Sequence, residues 1–391
     1  MSDTVSDPAA GTGTASPAAP PADPHALRPL WARLLRWALV AVAVAVLLVL
    51  PLELTRAWLR AGEYVMIGAV GAIGLTLLTG QAGQLSLAHG FFLLVGGTAY
   101  AVLAGPTGDS ALLGFGLPPL LALLGAVAVS ALIGLAFAPV AGRLRGIYLG
   151  VASLSLVFIG LYLGQSLPKL AGTTSRGRDP APFSLFGFSF GRPDPPLTVA
   201  GVPLGATERM WYLFLALAAV SWLLARAAVR GRPGRAWRAV RDNEAAASVL
   251  GVSVVRAKAG AFAVSSGYAG LAGAMTVLWF EILKPDESEY GTYGINVSIA
   301  FLAMIIVGGL GSVGGAMIGA ALVFGLPQVL ALSTSGSGAL SGTGGGAITP
   351  IILTQFIYGA AIIAVVIFEP GGLAAIGRRL GTVWSRRGRE G

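Results

Sequence analysis

Three observations predict an all-α, polytopic helical bundle set in a membrane. Only 11% of the 391 residues are charged while 55% are apolar, against roughly a quarter charged in an average soluble domain. The apolar residues fall in repeated runs near or above the roughly 18 residues that a helix needs to cross a bilayer. Lys and Arg gather in a few of the intervening segments instead of being spread evenly, as positive-inside bias requires. The same runs exclude an outer-membrane barrel, whose strands alternate polar and apolar over about ten residues.

Taken in order, residues 1–27 are built from Ala, Pro, Gly, Ser, Thr and Asp without apolar periodicity. They are expected to be a disordered cytoplasmic tail, since they cannot bury enough surface to offset ordering entropy. The membrane domain occupies 28–377. Its first span, Leu34 to Leu54, follows Arg28 and Arg33 and carries Arg36 at its start. It is too long for a signal peptide, and no small-x-small cleavage site precedes the next run. Further apolar segments follow at 64–80, 85–104, 117–140, 147–168, 211–229, 259–281, 297–312, 314–332 and 349–368, for about ten spans in all. The stretch from Gly308 to Gly315 reads either as a loop or as a membrane-embedded break, and Gly80 to Gln84 carries the same ambiguity. Residues 378–391 form a basic tail whose Arg378, Arg379, Arg386, Arg387 and Arg389 read as a stop-transfer cluster against lipid.

Orientation follows from the basic residues. With the N-terminal flank inside, Arg143 and Arg145, the strongly basic segment from Arg226 to Lys258, and the C-terminal tail all fall in the cytoplasm. The outer segment after the seventh span carries Glu281, Asp286, Glu287 and Glu289 against Lys284. The loop Lys169 to Arg209 is long enough to translocate regardless of its charges. Both termini are therefore expected to be cytoplasmic. The formal net charge of +9 is explained by this bias, without nucleic acid.

Composition also excludes chemistries. Zero cysteines remove thiol catalysis, disulfides and Cys-ligated metal sites, and His25 and His89 alone make a poor metal centre. The three lysines, Lys169, Lys258 and Lys284, each follow a residue other than glycine, so a GxxxxGK[ST] phosphate-binding loop cannot exist in this chain. ATP-driven transport would need a separate hydrolysing subunit. The spans look nearly free of ionisable residues, with His89 the main candidate, which argues against an ion-coupled carrier. No Ser/His/Asp set or paired membrane carboxylate suggests an enzyme.

The segment between the sixth and seventh spans, 231–258, bears on such a partner. Gly231-Arg232-Pro233-Gly234 reads as a turn ending the membrane helix, and Arg235 to Leu250 as one amphipathic helix closed by Gly251. Trp237, Val240, Ala247 and Leu250 supply its apolar face; Arg238, Arg241, Asp242 and Glu244 supply its polar rim. From periodicity alone it is either a helix receiving force from a soluble partner or one sealing the bundle or lying on anionic lipid. The glycine clusters suit close helix approach.

Gly234 to Val252, with Glu244-Ala245-Ala246 and Gly251, resembles the cytoplasmic EAA loop of LivM-type permeases of branched-chain amino acid ABC importers. Gly80-Gln81-Ala82-Gly83-Gln84-Leu85-Ser86-Leu87-Ala88-His89-Gly90 resembles the early GxxGQxSLxH motif of that family, and Arg143-Leu144-Arg145-Gly146-Ile147-Tyr148-Leu149 its RLRGxYF-type motif. The 304–319 run resembles its late glycine-rich motif, so that the likeness covers roughly 60–370. The resemblance implies a type II ABC-importer permease: a non-catalytic subunit that pairs with a second, LivH-like permease. Two ATPase subunits would use ATP and Mg, an extracytoplasmic solute-binding protein would deliver the solute, and this chain itself would bind no cofactor. It implies ATPase coupling through Arg235, Trp237, Arg238, Arg241, Glu244, Ala245, Ala246 and Gly251. Gln81, Gln84, Ser86 and His89 are candidate substrate-pathway residues or inter-helix hydrogen-bonding groups. Gly172 to Gly177 departs from the family's usual Gly-Ser-Asn-Gly run. Related machinery carrying urea or short amides is the alternative, and an ion-coupled carrier the alternative of another class.

Overall fold

The computed structural model describes residues 30–108, 110–144, 146–173, 176–191, 197–199, 202–286 and 293–335, with scattered positions from 356 to 375. The expected tails 1–27 and 378–391 lie outside the described residues, as do Arg145 and most of 349–368. The chain divides into two units, Met1–Val49 and Leu50–Gly391. The first holds most of α1 (Leu30–Glu53), which carries Pro51 in its last turn.

The second unit is a helical bundle. α2 (Arg56–Leu75) runs on through a π-helical stretch, Thr76–Gln81. α3 (His89–Ala104), α4 (Pro119–Arg143), α5 (Ile147–Ser166) and the single turn α6 (Pro168–Ala171) follow. Two small antiparallel hairpins, β1 (Ser184–Leu185) with β2 (Phe188–Ser189) and β3 (Leu197–Val199) with β4 (Val202–Leu204), lead into α7 (Ala206–Arg230). Then come α8 (Arg232–Asp242), α9 (Glu244–Val249), α10 (Val254–Phe280), α11 (Ile295–Gly308) and α12 (Val313–Ala320), and a second π-helical stretch, Ala321–Gly325, leads into α13 (Leu326–Ser335). α10 is the axis, packed by α2, α3 and α4, with Ala269, Ala272, Ala274, Met275 and Val277 buried. Small residues allow this approach: a Cβ on Gly96 of α3 would meet the Gly270 carbonyl carbon of α10 at 2.5 Å, inside any real carbon contact.

Among the described residues six helices are long and apolar enough to cross a membrane, and Val44–Glu53, α3 and α11 are shorter apolar helices. The difference from the expected count of about ten has a physical cause at α3 and α11. Their 16 and 14 residues rise only about 24 and 21 Å, short of the roughly 30 Å hydrocarbon core, because each is joined to a non-helical break. The segment expected as a span from 85 begins as a helix only at His89, and 83–88 are non-helical. Gly309 to Ser312 is the second break, with Gly309 and Gly311 at φ +108° and +80°.

Buried backbone without helical partners must be satisfied by the protein around it. In the first break Ser153 of α5 accepts from the Leu87 amide at 2.8 Å and Ser298 of α11 from the Gly90 amide at 2.9 Å; Thr79 donates to the Gln84 carbonyl at 3.0 Å. Replacing Ser153 with Ala strands the Leu87 amide, an expected cost of about 1–3 kcal/mol. A lowered melting temperature of the detergent-solubilised protein checks this.

α2 begins at Arg56, earlier than the expected span start at 64, because Arg56, Arg60 and Glu63 dilute the apolar pattern. The expectation of spans nearly free of ionisable groups is corrected accordingly: Glu63 in α2 and Lys258 in α10 are both buried.

Candidate functional site

At one end of the bundle α2, α4, α7, α8 and α10 share an apolar cluster that includes Leu77, Ala141, Ala225, Trp237 and Phe262. The segment 231–258 lies there. Gly231 alone is the turn: it closes α7, with its amide donating to the Ala227 carbonyl at 2.9 Å, and also precedes α8, whose second residue is Pro233. The expected four-residue turn is thus corrected; the first-turn proline position lacks an intrahelical amide partner anyway, so Pro233 starts a helix there instead of stopping one. Gly234 is buried inside the helix, where a Cβ would meet the Val229 backbone.

The single helix expected from Arg235 to Leu250 is two. Asn243 breaks it with φ −160° and ψ 109°, and its side chain accepts from the Ala246 amide at 3.0 Å as the cap of α9, because an Asn oxygen satisfies an orphan amide at a helix start. The break changes the register of the apolar face. Trp237, Val240 and Ala247 are buried as the periodicity predicts, whereas Leu250 is 80% exposed, beside Val249 at 86%. Gly251 ends α9 as expected, at φ +82°, with Gly251 and Val252 amides donating to the Ser248 and Ala247 carbonyls.

Polar side chains tie this element to the bundle. Glu244 pairs with Lys258 of α10 at 2.7 Å, the lysine side chain being only 6% exposed. Arg241 donates to the Gly80 carbonyl at 2.8 Å and pairs with Asp242 at 2.9 Å. Arg238 donates to the Val229 carbonyl at 3.1 Å and to the Gln81 side chain at 3.3 Å. Gln81 in turn donates to the Gly311 carbonyl at 2.6 Å. The end of the π-helical stretch therefore meets the second break beside α8: a Cβ on Gly80 would reach the Gly311 Cα at 2.6 Å. Sequence periodicity made Arg238 and Arg241 a solvated rim; their reach to Gln81 and Gly80, distant in sequence, is a long-range fact that spacing does not encode. The surface facing away from the bundle is formed by exposed Ala245, Ala246, Val249, Leu250 and Val255. Arg235 is exposed and donates to the Arg230 carbonyl at 3.4 Å.

Of the other candidates, Gln84, Ser86 and His89 are all buried. Ser86 accepts from the Ala88 amide at 3.3 Å, and the His89 ring stands 4.6 Å from that of Phe301. The Gln84 amide group and His89 Nε2 have no hydrogen-bond partner among the described residues.

The arrangement is an exposed apolar tip on an element whose arginines bond Gly80 and Gln81, with Gln81 bonding Gly311. Residues 60–366 match the model of the branched-chain amino acid transport system permease component family. The chain belongs to this family.

Among its relatives, the high-affinity branched-chain amino acid transport system permease protein LivM of Salmonella typhimurium is 29% identical over 290 residues, 72% of this chain and 64% of the relative. The corresponding protein LivH of Escherichia coli K12 is 25% identical over 277 residues, 67% of this chain and 80% of the relative. The autoinducer 2 import system permease protein LsrC of Klebsiella pneumoniae is 32% identical over 175 residues, 44% and 46% of the two chains. The chain thus spans just under two thirds of the length of the LivM protein it matches. No solved structure matches it. Within the matched region lie both breaks, α8 and α9.

Proposed function

We propose that the chain is a membrane-spanning, non-catalytic permease subunit of an ATP-driven importer for branched-chain amino acids. It crosses the cytoplasmic membrane about ten times, with both termini inside, and shares the translocation pathway with a second, LivH-like permease. A separate pair of ATPase subunits uses ATP and Mg, and an extracytoplasmic binding protein delivers the solute. The resemblance to LivM and LivH supports this reading.

The observation that carries the coupling role is the exposed apolar tip Val249, Leu250 and Val255 on an element whose Arg238 and Arg241 bond Gln81 and Gly80, Gln81 in turn bonding Gly311 of the second break. An apolar tip of this kind suits a groove in a soluble partner, and motion of the tip reaches Gly80, Gln81 and Gly311 through side chains rather than through loop backbone. A π-helical stretch seated against a helix break is the sort of bistable element that alternating access requires. Gln81 would then act as a link in this chain of bonds, while Gln84 and His89 keep polar atoms available to a passing solute.

Purification from native membranes in mild detergent, followed by mass spectrometry of what remains bound, tests the assembly. A second permease and an ATPase with a phosphate-binding loop are expected. Recovery of the chain alone, importing solute on an ion gradient, contradicts the proposal.

A further inference from the structure

The end of the bundle opposite α8 and α9 holds a cavity of about 400 Å3, within the size range of small-molecule sites. It lies between the start of α2, the end of α10, the start of α7 and the loop 179–191. The loop is tied down: the backbones of Arg178 and Leu283 exchange hydrogen bonds of 2.9 and 2.8 Å, the Tyr100 hydroxyl donates to the Ala181 carbonyl at 3.1 Å, and Arg209 donates to the Ser189 carbonyl at 3.1 Å.

A guanidinium and a carboxyl group, Arg60 and Glu63, stand one turn apart on α2 and both border the cavity, a spacing that brings side chains onto one helix face. Arg60 is held in place by Trp279, donating to its carbonyl at 2.5 Å with the guanidinium 4.8 Å from the ring centroid. Glu63 is only 2% exposed, and its Oε1 has no hydrogen-bond partner among the described residues. A buried carboxylate oxygen without a partner is costly, and a ligand that donates to it removes the cost. Asp179 and Glu281 also border the cavity, so acidic groups outnumber the one guanidinium and a simple anion is disfavoured. Trp279, Leu278, Met210 and Phe183 supply apolar wall.

We propose that this cavity is an entry subsite for an aliphatic α-amino acid, its ammonium group on Glu63, its carboxylate on Arg60 and its side chain against Trp279 and Leu278. The inference rests on the amino-acid reading above and sharpens it. Urea and simple amides carry no ammonium to meet Glu63.

The absence of cysteine gives a clean test. Thr207→Cys places a thiol on the cavity wall, and maleimide labelling of the assembled importer in lipid nanodiscs reads occupancy. Leucine and isoamylamine are expected to protect the thiol; 4-methylpentanoate and urea are not. Glu63→Gln should raise the half-protecting leucine concentration about tenfold or more, the loss of one charge-assisted hydrogen bond, with Glu63→Asp retaining part of the protection. Equal protection by 4-methylpentanoate, or protection by leucine unchanged in Glu63→Gln, overturns the subsite while leaving the importer reading intact. An assembly that takes up no leucine at all overturns that reading and the subsite with it. Should Glu63→Gln fail to reach the membrane, the ligand series on Thr207→Cys alone decides.

Discussion

Glu244→Arg is expected to leave the chain inserted in the membrane and to abolish ATP-driven uptake. Glu244 is the partner of Lys258, whose ammonium lies within 2.7 Å on a side chain almost wholly withdrawn from water. Removing one member of such a pair costs about 3–5 kcal/mol, because the remaining charge is left buried and unpaired; an arginine there adds repulsion. The cost falls on the contact between α9 and α10 and not on the helix packing elsewhere, so α9 should swing away from the bundle. Uptake in membrane vesicles, alongside quantification of inserted protein, checks both halves. The charge-swapped double variant, Glu244→Lys with Lys258→Glu, should recover uptake in part. Full uptake in Glu244→Arg, or no recovery in the swap, counts against the clasp. Gly251→Pro should uncouple in the same way, since proline cannot adopt φ +82° and removes the amide that closes α9 on the Ser248 carbonyl.

Gly80→Val should have an effect as large by a different route. The new Cβ would stand 2.6 Å from the Gly311 Cα, and backbone on both sides leaves no flexible side chain to yield. Overpacking of this kind costs about 1–3 kcal/mol or more. It would also displace the Gly80 carbonyl that accepts from Arg241 and the neighbouring Gln81 bond to Gly311, disconnecting α8 from the π-helical stretch and that stretch from the second break. Uptake should fall at least about tenfold if the loss exceeds 1.4 kcal/mol in the working conformation. Gly314→Ala is the matched control: it lies in the same glycine-rich run, but nothing stands within 4 Å of its Cβ position, and helix propensity favours alanine there. Uptake should be unchanged in the control. Equal behaviour of the two variants would mean that the contact between Gly80 and Gly311 carries no function.

Much of the bundle is legible in the sequence because a membrane span advertises itself by local composition. Trp237 and Val240 read as buried at helical spacing and are; Gly251 reads as a helix stop and adopts the left-handed conformation that glycine allows. Legibility fails where a single residue redirects the chain. Asn243 is a polar residue within an amphipathic pattern, and only its cap bond to Ala246 shows that the helix restarts there and turns Leu250 outward. Long-range contacts are hidden for a related reason. Arg178 and Arg209 lie in or next to a stretch that reads as a translocated loop, yet both are buried and hold it against other elements. Glu63 escaped notice because the charged first turns of α2 look like a flank; Trp279, far along the chain, covers Arg60 and makes the flank part of the helix.

The most direct test of the coupling claim uses a single cysteine at Leu250 in this cysteine-free chain, cross-linked in native membranes with and without ATP. The account predicts a cross-linked product with a nucleotide-hydrolysing subunit, whose yield changes when ATP is added, while a cysteine at exposed Phe158, in the middle of α5, gives none. Efficient uptake with no cross-link from Leu250 to any such subunit would contradict it.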